Sequence, residues 1–396
     1  MGKHSKIYGK VVGKDASDRP GWKGPSFTKK KATPPTPTPP KASKPSLEEE
    51  KESAIPLELQ QLLLNVFKDT FPDVLGSDDR QQLLQEVKNA LYERDFKRAF
   101  GSERFLETYA MRWSPSRAVC YLGVLVDVSG FLSGIWELCG VLGGGEVDGR
   151  DERMRVVAFG GGAAEVVAFG GFVRYFFVNA SSEDNVGVEP NPISMTGTQE
   201  TSTSSGLDLV LVDSAEWGEV VHKLTHSITT PPPLSKYANA AAKAANASLL
   251  RSKDIKTTFL AEDVLKMTTS QMSDLFGKSP VLLTLLFTLN ELYTSSISST
   301  TKFLLNLTMA AKRGSLLLVV DSPGSYSETT VGESTKKYPM HWLLDHTLLD
   351  TSKVDDKAVW EKLVSDDSRW FRMPEELRYP ISLENMRYQI HLYRRV

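Results

Sequence analysis

The ten residues Val156-Val-Ala-Phe-Gly-Gly-Gly-Ala-Ala-Glu165 carry an apolar strand into three consecutive glycines and on into a helix-forming run. Glycines at such a junction let the chain turn tightly, and they let backbone N–H groups approach a bound molecule with no Cβ in the way. That molecule would lie over the C-terminal edge of a parallel sheet. A dinucleotide asks for Gly-x-Gly-x-x-Gly. Gly160 and Gly162 satisfy the first two places, but Glu165 stands at the third, where its carboxylate would face a pyrophosphate. S-adenosylmethionine (SAM) has no phosphate, and its cationic sulfonium and amino groups favour an acid there. Asp213 follows the run Leu209–Val212, where a carboxylate would accept both ribose hydroxyls. Asp263 follows Phe259-Leu260, where it or the next backbone amide, at Val264, would meet the adenine edge. With Phe159, Gly160, Gly161, Gly162, Glu165, Ser214 and Thr288, these residues form the candidate cofactor site. Each acid taken singly also reads as an N-cap or a solvated loop residue. Their recurrence at consecutive strand ends weakens that plainer reading.

The elements that must position these residues show in the hydrophobic pattern. Residues 47–140 read as helices: Leu59, Leu62, Leu63, Val66 and Phe67 share one helical face, and Leu83, Leu84, Val87, Leu91 and Tyr92 share another. From Arg155 onward, short and nearly continuous apolar runs alternate with helical stretches. The runs are Val156–Phe159, Leu209–Val212, Thr257–Leu260, Val281–Phe287 and Leu316–Val320. Strands buried on both faces look like this, as in a parallel sheet covered by helices. The last segment alternates instead: Met386, Tyr388, Ile390 and Leu392 interleave with Arg387, Gln389, His391 and Tyr393. That period predicts an antiparallel strand near an edge with one face exposed. The expected organisation is a basic, Pro-rich, disordered tail over 1–46, a helical region or lid over 47–150, and an α/β domain over 151–396. Residues 143–151 read as a linker and 181–206 as a flexible insertion.

Bulk properties exclude several classes. Of 396 residues, 40% are hydrophobic and 24% charged, which fits a soluble globular protein. The net charge of −2 conceals an asymmetry, because residues 1–46 hold eleven Lys/Arg against two Asp. A basic arm on an acidic body suggests a polyanion or a targeting receptor as the arm's partner, the plainer alternative being a solvated tail. Two cysteines, Cys120 and Cys139, make no disulfide framework and suit a reducing compartment. No apolar segment follows the first lysines as a secretion signal would require, and Asp127, Glu137 and several glycines interrupt the longest apolar region, so no membrane span is expected. His222 and His226 lie four apart on an expected helix, but Lys223 stands where a zinc-protease pattern wants Glu and no third ligand is evident; no metal is expected.

Several longer strings resemble the fungal large-subunit (25S) ribosomal RNA uridine-N3 methyltransferases over roughly residues 55–396. They are Tyr109-Ala-Met-Arg-Trp-Ser-Pro-Ser-Arg117, Phe159-Gly-Gly-Gly-Ala-Ala-Glu165, Asp213-Ser-Ala-Glu-Trp217 and Phe287-Thr-Leu-Asn-Glu-Leu-Tyr293. Gly314 to Tyr326 and Glu384-Asn-Met-Arg-Tyr-Gln-Ile-His391 complete the set. The resemblance implies a Rossmann-like class I SAM-dependent methyltransferase sheet with a C-terminal antiparallel strand. It also implies a ribosomal RNA or pre-ribosomal particle as partner, a monomer, and a place in the nucleus and nucleolus, with the cytoplasm as an alternative. In such a fold the acceptor lies beyond the fourth strand, nearest Asn290 and Glu291. Asn290 would hydrogen-bond the uracil edge and Glu291 would take the N3 proton; the plainer reading of Glu291 is a helix-start acid favoured by the dipole. Asp321, Ser322 and Pro323 would rim the acceptor pocket or simply form a turn. Arg112, Trp113 and Arg117 would clamp SAM or stack on a base, the alternative being a core tryptophan with solvated arginines. Most class I methyltransferases carry an acid two residues before the first glycine, where this chain has Ala158. Other readings stay open: a SAM-binding ribosome assembly factor with dispensable catalysis, a methyltransferase with another RNA, protein or small-molecule acceptor, and a nicotinamide-dependent oxidoreductase.

Overall fold

The five apolar runs form five parallel strands in the computed structural model, which describes residues 55–138, 153–178, 206–244, 246–324, 326–331, 334–353 and 357–396. Helices come first: α1 (Leu57–Thr70), α2 (Pro72–Gly76), α3 (Arg80–Tyr92), α4 (Phe96–Ala99), α5 (Glu103–Arg112), α6 (Ser114–Asp127) and α7 (Ser129–Leu138). Then β1 (Arg153–Phe159), α8 (Ala163–Val173), β2 (Gly206–Asp213), α9 (Gly218–Thr229), α10 (Ala240–Ala244) and β3 (Ile255–Ala261) follow. After α11 (Thr269–Phe276) come β4 (Leu282–Leu286), α12 (Leu289–Ser295), α13 (Ile297–Ala310) and β5 (Leu316–Asp321). A separate hairpin of β6 (Tyr326–Val331) and β7 (Ser334–Pro339) leads through α14 (Met340–Asp345) to β8 (Trp360–Phe371) and β9 (Met386–Arg395).

The seven-stranded sheet runs β3-β2-β1-β4-β5-β9-β8, with β9 antiparallel to both neighbours. The order reverses between β1 and β4, so the loops leaving these strands part and open a crevice at their carboxyl ends. Register keeps those ends level, since Phe159 pairs with both Val212 and Leu285. Alternate residues of each strand enter opposite cores. Val156, Ala158, Leu209, Leu211 and Leu318 pack with α1, α6, α8 and α9, while Val157, Phe159, Val210, Leu283 and Val319 pack with α11 and α13. Residues of α1, α5 and α6 thus share a core with the sheet rather than closing one of their own. Gly171 of α8 makes this approach possible, because a Cβ there would come within 3.0 Å of Leu63 on α1.

The structure corrects parts of the sequence reading. On α1, Leu62 is exposed and Leu64 is buried in its place. On α3, Tyr92 points to solvent, while Leu83, Val87 and Ala90 are buried. Strand β9 is buried on both faces from Tyr388 to Tyr393, because β8 covers its outer edge and α14 covers its polar face. Gln389 and His391 are polar yet buried: His391 Nε2 meets Gln389 Oε1 at 3.1 Å, and its Nδ1 meets Ser365 Oγ at 3.2 Å. Burial lowers the His391 imidazole to about 4, so this pair is neutral and hydrogen-bonded rather than solvated. Gly206, read as the end of an insertion, opens β2. The basic tail at 1–46, the linker at 143–151, Cys139 and the insertion at 181–205 lie outside the described residues.

Candidate active site

Gly160 follows β1 with φ at +70°, and its N–H donates to the carbonyl of Val212 at 2.8 Å. A side chain here would be strained, and its Cβ would run into the Thr288 side chain from the β4 turn. At Gly161 an added Cβ would lie 2.7 Å from the Ala158 Cβ and 2.9 Å from the Ala158 carbonyl oxygen. At Gly162 it would press on the Trp217 ring at 3.2 Å. The three glycines therefore serve close packing of the loop. This also explains Ala158, which is buried directly beneath Gly161, leaving no room for an acid.

Glu165 supplies a carboxylate nearby, but it turns onto the loop. Its Oε2 accepts the Gly162 N–H at 2.8 Å, which fixes the loop at the start of α8. Burial pushes the Glu165 carboxyl up to about 7, against the pull of that N–H and of Arg117. Asp213, at the end of β2, accepts the Ala215 N–H at 2.7 Å, and burial raises it to about 6. Its backbone carbonyl accepts the Glu262 N–H at 2.9 Å and so ties the β3 end to the β2 end. Asp263 lies one strand further out; it caps the short turn Val264–Lys266 through the Leu265 N–H at 3.1 Å and pairs with Lys266 at 3.0 Å. A cleft of about 660 Å³ opens beside the β2 turn, lined by Ser214, Ala215 and Glu216 on one wall and by Phe96, Phe100 and Glu103 on the other.

An aromatic shelf closes the helical side. Tyr109 meets Phe100 edge-on at 5.1 Å, Trp113 at 5.3 Å and Trp217 at 5.7 Å. Arg117 hydrogen-bonds the Tyr109 hydroxyl and lies 5.5 Å above that ring and 5.4 Å from the Phe287 ring. Burial opposes the Arg117 charge, but Tyr109, Tyr121 and Glu165 outweigh it and hold the guanidinium above its ordinary value. Arg117 thus belongs to the inner wall. Arg112 turns elsewhere: it pairs with Glu384 in the loop before β9 and lies 5.6 Å over Trp113.

The β4 turn carries the other half. Phe287 has φ at +58°, a conformation that costs a phenylalanine about 1–2 kcal/mol. It is held by its N–H to the Val320 carbonyl at 2.7 Å and by stacking on Tyr121 at 6.2 Å. Asn290 donates its backbone N–H to Asp321 Oδ2 at 2.9 Å, and Asp321 Oδ1 accepts the Ser322 N–H at 2.7 Å. Asp321 is buried, which raises its carboxyl to about 6, and it locks the turns after β4 and β5 together. Ser322 is exposed and Pro323 half-buried beside it. Glu291 is half-exposed; its Oε1 faces Arg94 at 3.6 Å, while its Oε2 is buried with no hydrogen-bond partner among the described residues.

The residues suit a cationic, hydroxyl-bearing cofactor: a loop whose glycines leave no room for a Cβ, and two desolvated carboxylates, with the Arg117 guanidinium already engaged by Tyr109 and Glu165. The family described as "Putative SAM-dependent methyltransferase" matches residues 67–394. The chain belongs to this family. It is also 33% identical, over 84% of its length and 85% of the relative's, to the 25S rRNA (uridine(2843)-N(3))-methyltransferase of Saccharomyces cerevisiae. Among solved structures, a SAM-dependent methyltransferase from Methanosarcina mazei is 9% identical, covering 62% of this chain and 94% of that one, with a TM-score of 0.31. An O-methyltransferase family protein from Burkholderia thailandensis is 11% identical, covering 81% and 73%, with a TM-score of 0.32. The strand order β3-β2-β1-β4-β5-β9-β8 with β9 antiparallel is that of a class I methyltransferase, and the family makes SAM the cofactor. Among the described residues no helix is long and apolar enough to cross a membrane, and no group of three or more His, Cys, Asp or Glu could hold a metal ion.

Sequence reasoning included Tyr109, Trp217 and Phe287 in family strings without giving them a role. Their signal was aromatic density at the ends of elements, which reads equally well as core. It gave Glu165 a cofactor contact, where the local helix start claims one of its oxygens.

Proposed function

We propose that this methyltransferase modifies N3 of a uridine in large-subunit ribosomal RNA, acting as a monomer in the nucleus or nucleolus. The observation that carries the reading is the identity with the yeast 25S rRNA enzyme across most of both chains. SAM supplies an electrophilic methyl on a sulfonium. The glycine loop would hold its amino-acid end, with Glu165 keeping the loop in shape, Asp213 taking the ribose hydroxyls, and Asp263 with the Val264 amide meeting the adenine. The acceptor base must leave its pair, because N3 lies on the Watson–Crick edge. Methylation then needs the N3 proton removed, and the free Glu291 Oε2 is the acceptor this reading assigns. Asn290, whose backbone Asp321 holds, would offer its side-chain amide to a uracil carbonyl. Ser322 and Pro323 would border the pocket.

Incubating the purified protein with methyl-labelled SAM and protein-free large-subunit rRNA, followed by nucleoside mass spectrometry, tests the assignment. Label in 3-methyluridine supports it. Label in another nucleoside, or in protein alone, overturns it.

A further inference from the structure

The β8–β9 hairpin carries a feature that cofactor binding and methyl transfer do not use. Trp370 is a large aromatic residue on the sheet's last strand, and it is 56% exposed. Two guanidiniums flank its ring: Arg372 at 5.6 Å and Arg387 at 5.7 Å from the centroid. Arg387 sits directly opposite Trp370 in the ladder, and its Nε donates to Ser368 Oγ at 2.8 Å, which fixes the charge beside the ring. Two carboxylates of β8 meet other residues. Asp366 accepts from Arg369 at 2.8 Å, and Asp367 faces His341 at 3.8 Å.

Position gives the feature its meaning. Asp321, the last residue of β5 and the brace of the acceptor turns, pairs with Gln389 of β9. Gln389 Nε2 also donates to the Ser322 carbonyl at 2.7 Å, so β9 and the acceptor rim are tied together. Two residues further along β9, about 7 Å at ordinary strand rise, stands Arg387 with Trp370 opposite. The platform therefore extends past the carboxyl edge of the sheet, on the edge where the methyl acceptor must arrive. Alternation along β9 puts Arg387 on the same face as Gln389 and His391, which is the face that α14 covers. An exposed indole with the fixed Arg387 guanidinium beside it, and Arg372 over its ring, offers a stacking surface for one base and positive charge toward an adjoining phosphate.

We propose that Trp370, Arg372 and Arg387 form a docking platform for an unpaired nucleotide of the RNA substrate, flanking the base that is methylated. The proposal rests on the RNA-methyltransferase reading above and adds a substrate-positioning surface to it. The platform binds single strands in preference to duplexes, because only an unpaired base presents a free face to the indole.

The test uses the full chain and a fluorescein-labelled single-stranded oligouridine, read by anisotropy, with duplex RNA of equal length as comparison. Trp370→Ala should weaken oligouridine binding about tenfold, and Trp370→Phe, which keeps an aromatic face, should restore much of it. SAM affinity and melting temperature should be unchanged, since the ring is exposed. With rRNA as substrate, Trp370→Ala should raise KM and leave kcat near wild type. Equal oligouridine binding by wild type and Trp370→Ala overturns the platform while leaving the proposed function standing. A wild-type chain that binds neither RNA and methylates no rRNA overturns the proposed function itself, and the platform with it.

Discussion

The loops after β1 and β2 and the loops after β4 and β5 meet along one sheet edge, yet they dispose of their polar groups differently. In the first pair, Glu165 and Asp213 are each turned onto a backbone N–H of their own loop, and the glycines pack against Ala158, Thr288 and Trp217. In the second pair, Asp321 braces the turns, but Phe287 is strained, Ser322 is exposed and one Glu291 oxygen has no hydrogen-bond partner. The first half is finished without a ligand; the second leaves one buried carboxylate oxygen without a partner, the proton acceptor of the proposed reaction. A small cofactor of fixed shape can be met by a prebuilt cradle, whereas the RNA base of the proposed reaction would complete its own surroundings.

Changes in the two halves should therefore separate cofactor affinity from turnover. The largest effect is expected for Glu291→Gln, which keeps the shape and removes the proton acceptor; rRNA methylation should fall about 10²-fold with SAM affinity intact. Near-normal single-turnover methylation would remove Glu291 from the mechanism. Next, Asp321→Ala leaves the Asn290 and Ser322 N–H groups without their carboxylate and should cost about 2 kcal/mol, read as a lower melting temperature. It should also slow methylation more than it weakens SAM binding. In the cofactor half, Gly160→Ala imposes a side chain at φ +70° against Thr288; it should cost about 1–2 kcal/mol and weaken SAM binding, which calorimetry would measure. The smallest effect belongs to the periphery. Lys223 bridges Glu103 and Glu107 at 2.6 and 2.8 Å, partly exposed, and Lys223→Ala should cost under about 1 kcal/mol and leave both activities alone.

Acidity follows the same division. Burial holds Glu165 at about 7 and Asp213 and Asp321 at about 6, above the ordinary values of 4.5 and 3.8. At these three carboxyls the folded chain binds protons that the unfolded chain has released, which outweighs the opposite contribution of His391, lowered to about 4, so the stability of the cofactor-free protein should fall as pH rises from about 4 to about 7. Differential scanning fluorimetry across that range reads the trend.

Much of the fold was legible because strands buried on both faces leave continuous apolar runs, and β1, β2, β4 and β5 do so, whereas the outer strand β3 is only partly buried. The edge strand β8 was not, because Trp360–Phe371 mixes charged and apolar residues and is interrupted by register shifts at Lys362/Val364 and Asp366/Arg369. The β9 alternation was read with the right period and the wrong exposure, since nothing local announces that α14 covers Gln389 and His391. In the site, the places of the glycines and Asp213 at the ends of β1 and β2 could be read, because the apolar runs fix where those strands stop. Phe287 could not, because a phenylalanine gives no sign of a positive φ that only the Val320 contact and the Tyr121 ring enforce. Nor could the Tyr109–Arg117–Phe287 shelf, whose members meet only when α5, α6 and the β4 turn pack together.

The most direct test of a prebuilt cofactor half facing an open acceptor half is a calorimetric titration of SAM into the protein without RNA, at pH 6 and pH 8. The account predicts saturable one-site binding at both, tighter at pH 8 by roughly tenfold, because Glu165 and Asp213, raised to about 7 and about 6, are then fully ionised beside a cationic cofactor. SAM binding that appears only after RNA is added, or that weakens from pH 6 to pH 8, would contradict it.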